Sequence, residues 1–252
     1  MKYSIVLPTY NEAENIVPML RAIRREIPHD LEILVVDDRS PDGTLAAAQR
    51  EAEDSEPGTV RAFTNPGPRS LSASVIAGFD AAQGEYLLCM DADGQHRPQD
   101  IMKLFRTLEE GADFAIGSRY IEGGGFARKW NFFRLLTSKT ATWMGQAALR
   151  VGVHDPMSGF FALRKEAYRS VRHVMTPSGT GFKIMLELLF LLSLRKKKPV
   201  VRECAIIFEL RTRGESKLSG KVMLQYLKML AACMKNRARL RAAVNAPGEE
   251  VR

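Results

Sequence analysis

Short apolar runs alternate with helical segments through the first half of the chain, which restricts the fold to a parallel sheet covered by helices. The runs Ser4–Leu7, Glu32–Val36, Val60–Phe63, Glu85–Met90 and Asp113–Ile116 read as strands. Between them, Glu12–Glu26, Thr44–Ala52, Ser72–Ala82 and Asp100–Glu109 read as helices, with Asp42, Ser70 or Ser72 and Pro98 near their starts. Almost every strand ends in a polar cluster: Thr9-Tyr10-Asn11-Glu12, Asp37-Asp38-Arg39-Ser40, and Asp91 to Gln95. In open α/β sheets the carboxyl ends of the strands border the ligand crevice, so these clusters are expected to be neighbours in space.

The second half is less regular. A helical pattern runs from Trp130 to Arg150, Phe160–Leu163 reads as a strand, Gly181–Leu194 as an apolar helix and Val200–Phe208 as the last strand. Ser219–Leu240 carries Val222, Met223, Tyr226, Leu227, Leu230 and Met234 at helical spacing, with Lys221, Lys228 and Lys235 seven apart on one face. At 252 residues the expected organisation is one α/β domain over residues 1–220, followed by an amphipathic helix and polar tail over 221–252.

Composition sets the compartment and narrows the partners. Three scattered cysteines, Cys89, Cys204 and Cys233, lack metal-ligand spacing and imply a reducing environment. The first residues read as a strand rather than a signal peptide, so a cytoplasmic location is expected. The densest apolar stretch, Ile184 to Leu194, is about half the length of a membrane span and contains Glu187, so contact with a membrane is expected to be peripheral. The net charge is +8, and its Lys and Arg excess lies beyond about residue 115. These cations are not interleaved with stacking aromatics, which argues against nucleic acid and leaves phosphorylated substrates or anionic lipid.

Chemistry concentrates at the strand ends. Asp91 and Asp93, with the Gln95 amide two residues on, offer hard oxygen ligands for Mg²⁺ or Mn²⁺ directly after an apolar strand. Tyr10 offers a flat face to a base and Glu12 an acceptor, while Pro8 is expected to end the first strand. The alternative for this cluster is a helix start capped by Asn11. Of Asp37 and Asp38, we assign Asp38 to the nucleotide and Asp42 mainly to capping. His96 reads as a loop residue, since imidazole suits softer metals. Arg119 directly follows a strand, and Arg134 and Ser138 share a helix face on which a guanidinium and a hydroxyl can meet phosphate oxygens. The alternative for that pair is a solvated helix face.

These blocks carry a resemblance. Ile5 to Glu12, Val35 to Thr44, Met90 to His96, Gly117 to Tyr120, Ser158 to Lys165, Gly181 to Lys183 and Arg213 to Leu218 occur in the order found in family 2 glycosyltransferases of the GT-A fold. Within them the chain is similar to the dolichol-phosphate (polyprenyl-phosphate) mannosyltransferase group. The resemblance implies a nucleotide-sugar site built from Pro8, Tyr10, Glu12, Val36, Asp38, Asp91, Ala92, Asp93, Arg211 and Lys217. It implies metal ligation by Asp91, Asp93 and Gln95, acceptor-phosphate binding by Arg119, Arg134 and Ser138, and catalytic roles for Asp93 and Arg119. The implied substrates are GDP-mannose and a polyprenyl (dolichyl) phosphate, with a membrane-anchoring partner subunit as a further expectation.

A phosphate monoester, with a second pKa near ~6, is already a nucleophile at neutral pH and needs no general base. The expected reaction is therefore a single inverting displacement without a covalent enzyme intermediate. Two alternatives stand beside it: the same transfer from another donor such as UDP-glucose, and a non-catalytic nucleotide-sugar-binding protein. Arg39, Ser70 and Leu210 depart from the family pattern, and the first and last of these bear on base and sugar identity.

Overall fold

The computed structural model describes residues 1–27, 29–127, 145–146, 152–175, 184–209 and 220–246, without the side chains of 220–226 and 229. The main sheet contains β1 (Tyr3–Thr9), β2 (Leu31–Asp37), β3 (Val60–Thr64), β4 (Tyr86–Cys89), β5 (Phe114–Ser118), β7 (Phe161–Arg164) and β8 (Val201–Ala205). Their order is β3-β2-β1-β4-β7-β5-β8, and β7 alone runs antiparallel to its neighbours. Six strands thus end at one edge, and the antiparallel β7 begins there. A separate ribbon pairs β6 (Gly125–Phe126) in parallel with β9 (Ile207–Phe208).

The central strands are buried on both faces, as a doubly covered parallel sheet requires. Ile5, Leu7, Ile33 and Val35 share one core with Ile16, Leu20 and Ile23 of α1 (Ala13–Glu26) and Ile101, Leu104 and Phe105 of α4 (Ile101–Glu109). The alternate residues Val6, Leu34 and Val36 pack on the other face. There they meet Val75, Ile76 and Phe79 of α3 (Leu71–Ala81), beside Val171 of α5 (Lys165–Arg172) and the apolar α6 (Ile184–Ser193). α2 (Thr44–Glu53) lies against α1 and β3.

Three expectations are corrected. Pro8 does not end β1, which continues to Thr9 with Pro8 opposite Val36. Val6 O accepts from Met90 N and Thr9 O from Asp38 N, so even-numbered residues face β4 and odd ones face β2. The missing N–H of Pro8 therefore faces the chain just past the last paired residue of β4, so no bond of the β1–β4 ladder is lost. The single strand expected over Val200–Phe208 is two, because β5 ends opposite Ala205 and the chain then takes β6 as its partner. The helix expected over Ser219–Leu240 divides into α7 (Gly220–Lys235) and α8 (Arg237–Val244). At the break Asn236 Nδ2 donates to Ala232 O at 2.9 Å, competing with the helical ladder.

Most of the Trp130–Arg150 helix, and residues 181–183 of the later one, lie outside the described residues. No described helix is long and apolar enough to cross a membrane.

Glu187 interrupts the apolar α6, and burial raises its carboxyl pKa. Opposite it, burial and then the Glu187 charge push the Cys233 thiol up to about 11. A raised carboxyl pKa adds stability at low pH, and this contribution is lost as pH rises through the folded-state value. Glu187→Gln should therefore raise the thermal midpoint at pH 7 to 8 by roughly 2–4 °C per kcal/mol recovered, and leave it unchanged near pH 4. Thermal melts at the two pH values check this.

Candidate active site

The loops after β1 and β2 hold each other. Asp37 is buried and its carboxylate accepts from Thr9 Oγ1 at 3.1 Å, Ser40 Oγ at 2.6 Å and Ser40 N at 2.8 Å. The loop after β2 and the start of α2 satisfy the donors leading into α1: Asn11 N donates to Ser40 Oγ, Glu12 N to Thr44 Oγ1 and Ala13 N, the first of the helix, to Asp42 Oδ2. Asn11 is thus not the cap expected from sequence; it takes a left-handed conformation (φ 58°) outside the helix. Asp42 does cap, serving Thr44 as well as Ala13. Burial alone would raise its pKa, but the bonds from Thr44 and Ala13 outweigh it and hold the carboxyl below its ordinary value.

With Asp37 consumed in structure, Asp38 is the carboxylate left at the crevice, half-buried, its Oδ1 accepting from Asn65 Nδ2 at 3.0 Å. Arg39 reaches across to the same loop, donating to Asn65 O and Gly67 O, both at 3.1 Å. The Tyr10 ring lies on the same side, with the Arg69 guanidinium 5.1 Å from its centre. Glu12 accepts from Asn15 Nδ2 at 2.7 Å. Val36 has its side chain in the core, so its backbone is what it offers the crevice.

The 91–97 loop begins one residue after β4. Asp91 keeps its side chain 40% exposed, and its N–H donates to His96 Nδ1 at 3.2 Å. Asp93 is buried and accepts from Gln95 N at 3.0 Å, closing a tight turn. Gln95 Nε2 donates to Glu209 O at 3.2 Å. Ala92 is buried on the α1 side, where it joins Gly94, His96, Pro18 and Met19 in lining a cleft of about 350 Å³. His96 is a buried packing residue, stacked 5.1 Å from the Phe160 ring. Burial lowers its pKa to about 4, so it is neutral, and because Nδ1 accepts, the proton sits on Nε2.

The donor set fits a hard divalent cation. It offers carboxylate oxygens at a sheet edge beside an imidazole that carries no competing charge. A Cβ at Gly159 would lie 2.9 Å from Asp91 Oδ2, so a larger residue there would require that carboxylate to shift. Among the described residues no cluster of three or more His, Cys, Asp or Glu surrounds a single point. Such a site suits Mg²⁺ or Mn²⁺ held by one or two carboxylates and completed by water and substrate phosphate.

Arg119 is buried beside this loop. Its Nε and Nη2 donate to the two oxygens of Asp155 at 2.7 and 2.8 Å, and its own N–H donates to Asp155 Oδ2 at 3.1 Å. Rings of Phe208, Tyr120 and Phe126 surround the guanidinium at 5.1, 5.5 and 5.6 Å. Burial alone would lower its pKa, but the bond and charge of Asp155 more than restore it. Glu203 steadies Asp155 from behind, accepting its N–H at 3.1 Å. Arg134, Ser138, Arg211 and Lys217 lie outside the described residues.

Comparison with known proteins decides the family. Residues 4–172 match the family described as Glycosyl transferase family 2. The chain belongs to that family. A dolichol-phosphate mannosyltransferase of Pyrococcus furiosus is 42% identical over 238 residues, 93% of this chain. The chain spans 64% of that protein's length. A dolichol-phosphate mannosyltransferase of Saccharomyces cerevisiae is 39% identical over 91% of this chain and 86% of its own. Among solved structures, mannosyl-3-phosphoglycerate synthase from Rubrobacter xylanophilus superposes with a TM-score of 0.69 at 21% identity, covering 95% of this chain and 76% of that one. At that identity the likeness speaks for the fold, which is the GT-A fold of these family 2 enzymes.

Sequence reading singled out neither Asp155, Asn65, Glu209 nor Gly159 as a site residue. Asp155 meets Arg119 across 36 residues and Asn65 meets Asp38 across 27, separations that leave no local pattern. Gly159 stands within one of the quoted blocks, yet its closeness to Asp91 follows only from β7 starting at the edge where β4 stops.

Proposed function

We propose that this chain transfers mannose from GDP-mannose to a polyprenyl phosphate with inversion at the anomeric carbon. The observation that carries the reading is one sheet edge bearing Asp38, Asp91 and Asp93 beside a buried, Asp155-oriented Arg119. Such an edge offers carboxylates for a cation and a nucleoside, and a fixed positive charge beside them. The names of the Pyrococcus and Saccharomyces relatives supply the sugar and the lipid.

Asp91, Asp93 and Gln95 would hold the divalent ion, which when bound neutralises the leaving diphosphate. Asp38, Tyr10, Glu12 and the backbone at Pro8, Val36 and Ala92 form the nucleoside wall. Arg119, Arg134 and Ser138 hold the lipid phosphate, and Arg211 and Lys217 contact the donor near the two phosphates, so that the repulsion of two anions is offset. The acceptor oxygen enters opposite the leaving group, so positioning and charge stabilisation carry the rate.

The lipid end implies contact with a bilayer. Leu227 and Met234 of α7 are exposed beside Lys228 and Lys235, with Arg239 and Arg241 following on α8. That combination suits the surface of an anionic membrane, directly or beside an anchoring subunit.

The test is a radiolabelled donor panel with polyprenyl phosphate in detergent, with and without Mg²⁺ or Mn²⁺. Lipid-linked mannose formed from GDP-mannose, and only with the ion, is the expected result. Exclusive turnover of UDP-sugars would reject the mannosyl assignment, and no product from any donor would favour a nucleotide-sugar-binding protein.

A further inference from the structure

Three consecutive residues of the carboxylate loop are fastened to Phe208 of β9 and to Glu209, which follows it. Glu209 N donates to Gln95 O at 2.9 Å, and Gln95 Nε2 donates back to Glu209 O at 3.2 Å. The His96 ring meets Phe208 edge-on at 5.3 Å. Arg97 then donates to Glu209 Oε1 from Nε at 2.6 Å and from Nη2 as well.

The ribbon held in this way has only two residues in each strand, too few to fix its own position. It nevertheless supplies two of the rings around Arg119, Phe126 and Phe208. In sequence, the chain continues from β6 to Arg134 and Ser138, and from β9 through Glu209 to Arg211 and Lys217.

We propose that Glu209 is a positioning residue: through Arg97 and Gln95 it registers the β6–β9 ribbon against the carboxylate loop, and so aligns the acceptor side with the donor side. The inference rests on the transferase reading above. Arg97 and Glu209 are 42% and 30% exposed, so their ion pair adds little to folding stability. What it supplies is a third polar link between loop and ribbon, beside the two hydrogen bonds between Gln95 and the Glu209 backbone. A shift of the ribbon would move the Arg119 surroundings relative to Asp91 and Asp93, and reaction rates are steep in such displacements.

The test uses the full chain with GDP-mannose, polyprenyl phosphate in detergent and Mn²⁺. The variants are Glu209→Gln, Arg97→Gln and the exchange Arg97→Glu with Glu209→Arg. Each single variant should lower kcat/KM for polyprenyl phosphate about tenfold, while GDP-mannose binding without acceptor stays within about twofold. Melting temperatures should stay within about 2 °C of wild type, as for an exposed pair. The exchange should recover most of the lost transfer.

Wild-type transfer in both single variants would overturn the inference. So would equal losses toward both substrates with a lowered melting temperature, or an exchange no better than the singles. A wild-type chain that transfers no sugar from any donor overturns the transferase reading itself, and the inference with it.

Discussion

Asp93→Asn should lower sugar transfer by about 10³-fold or more while the protein melts within a few degrees of wild type. The substitution keeps an oxygen where Asp93 Oδ1 accepts the Gln95 N–H, so the turn that shapes the loop is preserved. What it removes is the negative charge, buried within a loop whose His96 is neutral. Asp91→Asn should have a similar effect on transfer with even less effect on folding, since that side chain is 40% exposed. Two measurements check this: initial rates of lipid-linked mannose formation, and Mn²⁺ binding followed by electron paramagnetic resonance with GDP present. Both should fall together. Full turnover in either variant would remove that carboxylate from the chemistry, and an unchanged rate in both would leave the loop a scaffold.

The fold was open to sequence reading where its signals were local. Ile5-Val6-Leu7 and Ile33-Leu34-Val35 are apolar throughout because adjacent side chains enter opposite cores, and such uninterrupted runs are visible in the sequence. The Asp91, Asp93 and Gln95 loop was legible for the same reason, being a short polar cluster at the end of a buried strand. Pairings across the chain were not legible. Asp38 was chosen over Asp37 without knowledge of the partners that divide them, Thr9 and Ser40 on Asp37 and Asn65 on Asp38. For Arg119 the sequence showed only a cation directly after a strand; that its guanidinium is buried against Asp155 among three rings has no local signal. The choice of Pro8 as a strand end failed because the cost of a missing N–H depends on the partner strand, and β4 had already stopped.

That buried pair gives the second large effect. Asp155→Ala should destabilise the protein by about 3–5 kcal/mol, because it leaves the Arg119 charge desolvated and unpaired. In a chain of this size, that corresponds to a melting temperature lower by roughly 10 °C. The variant alone cannot separate folding from function, so the pair must be replaced together. Arg119→Met with Asp155→Leu removes both charges and keeps the volume apolar among Tyr120, Phe126 and Phe208, which should recover much of the lost melting temperature, the remainder reflecting the residue 119 N–H left without its Asp155 acceptor. If Arg119 serves transfer through its charge, this refolded double variant should still turn over at least about 10²-fold more slowly, the scale of losing one fixed positive group beside a developing anion. Thermal melts and steady-state transfer on the same preparations decide it. A double variant that is both stable and fully active would make the ion pair a packing element, and would move the acceptor phosphate away from Arg119.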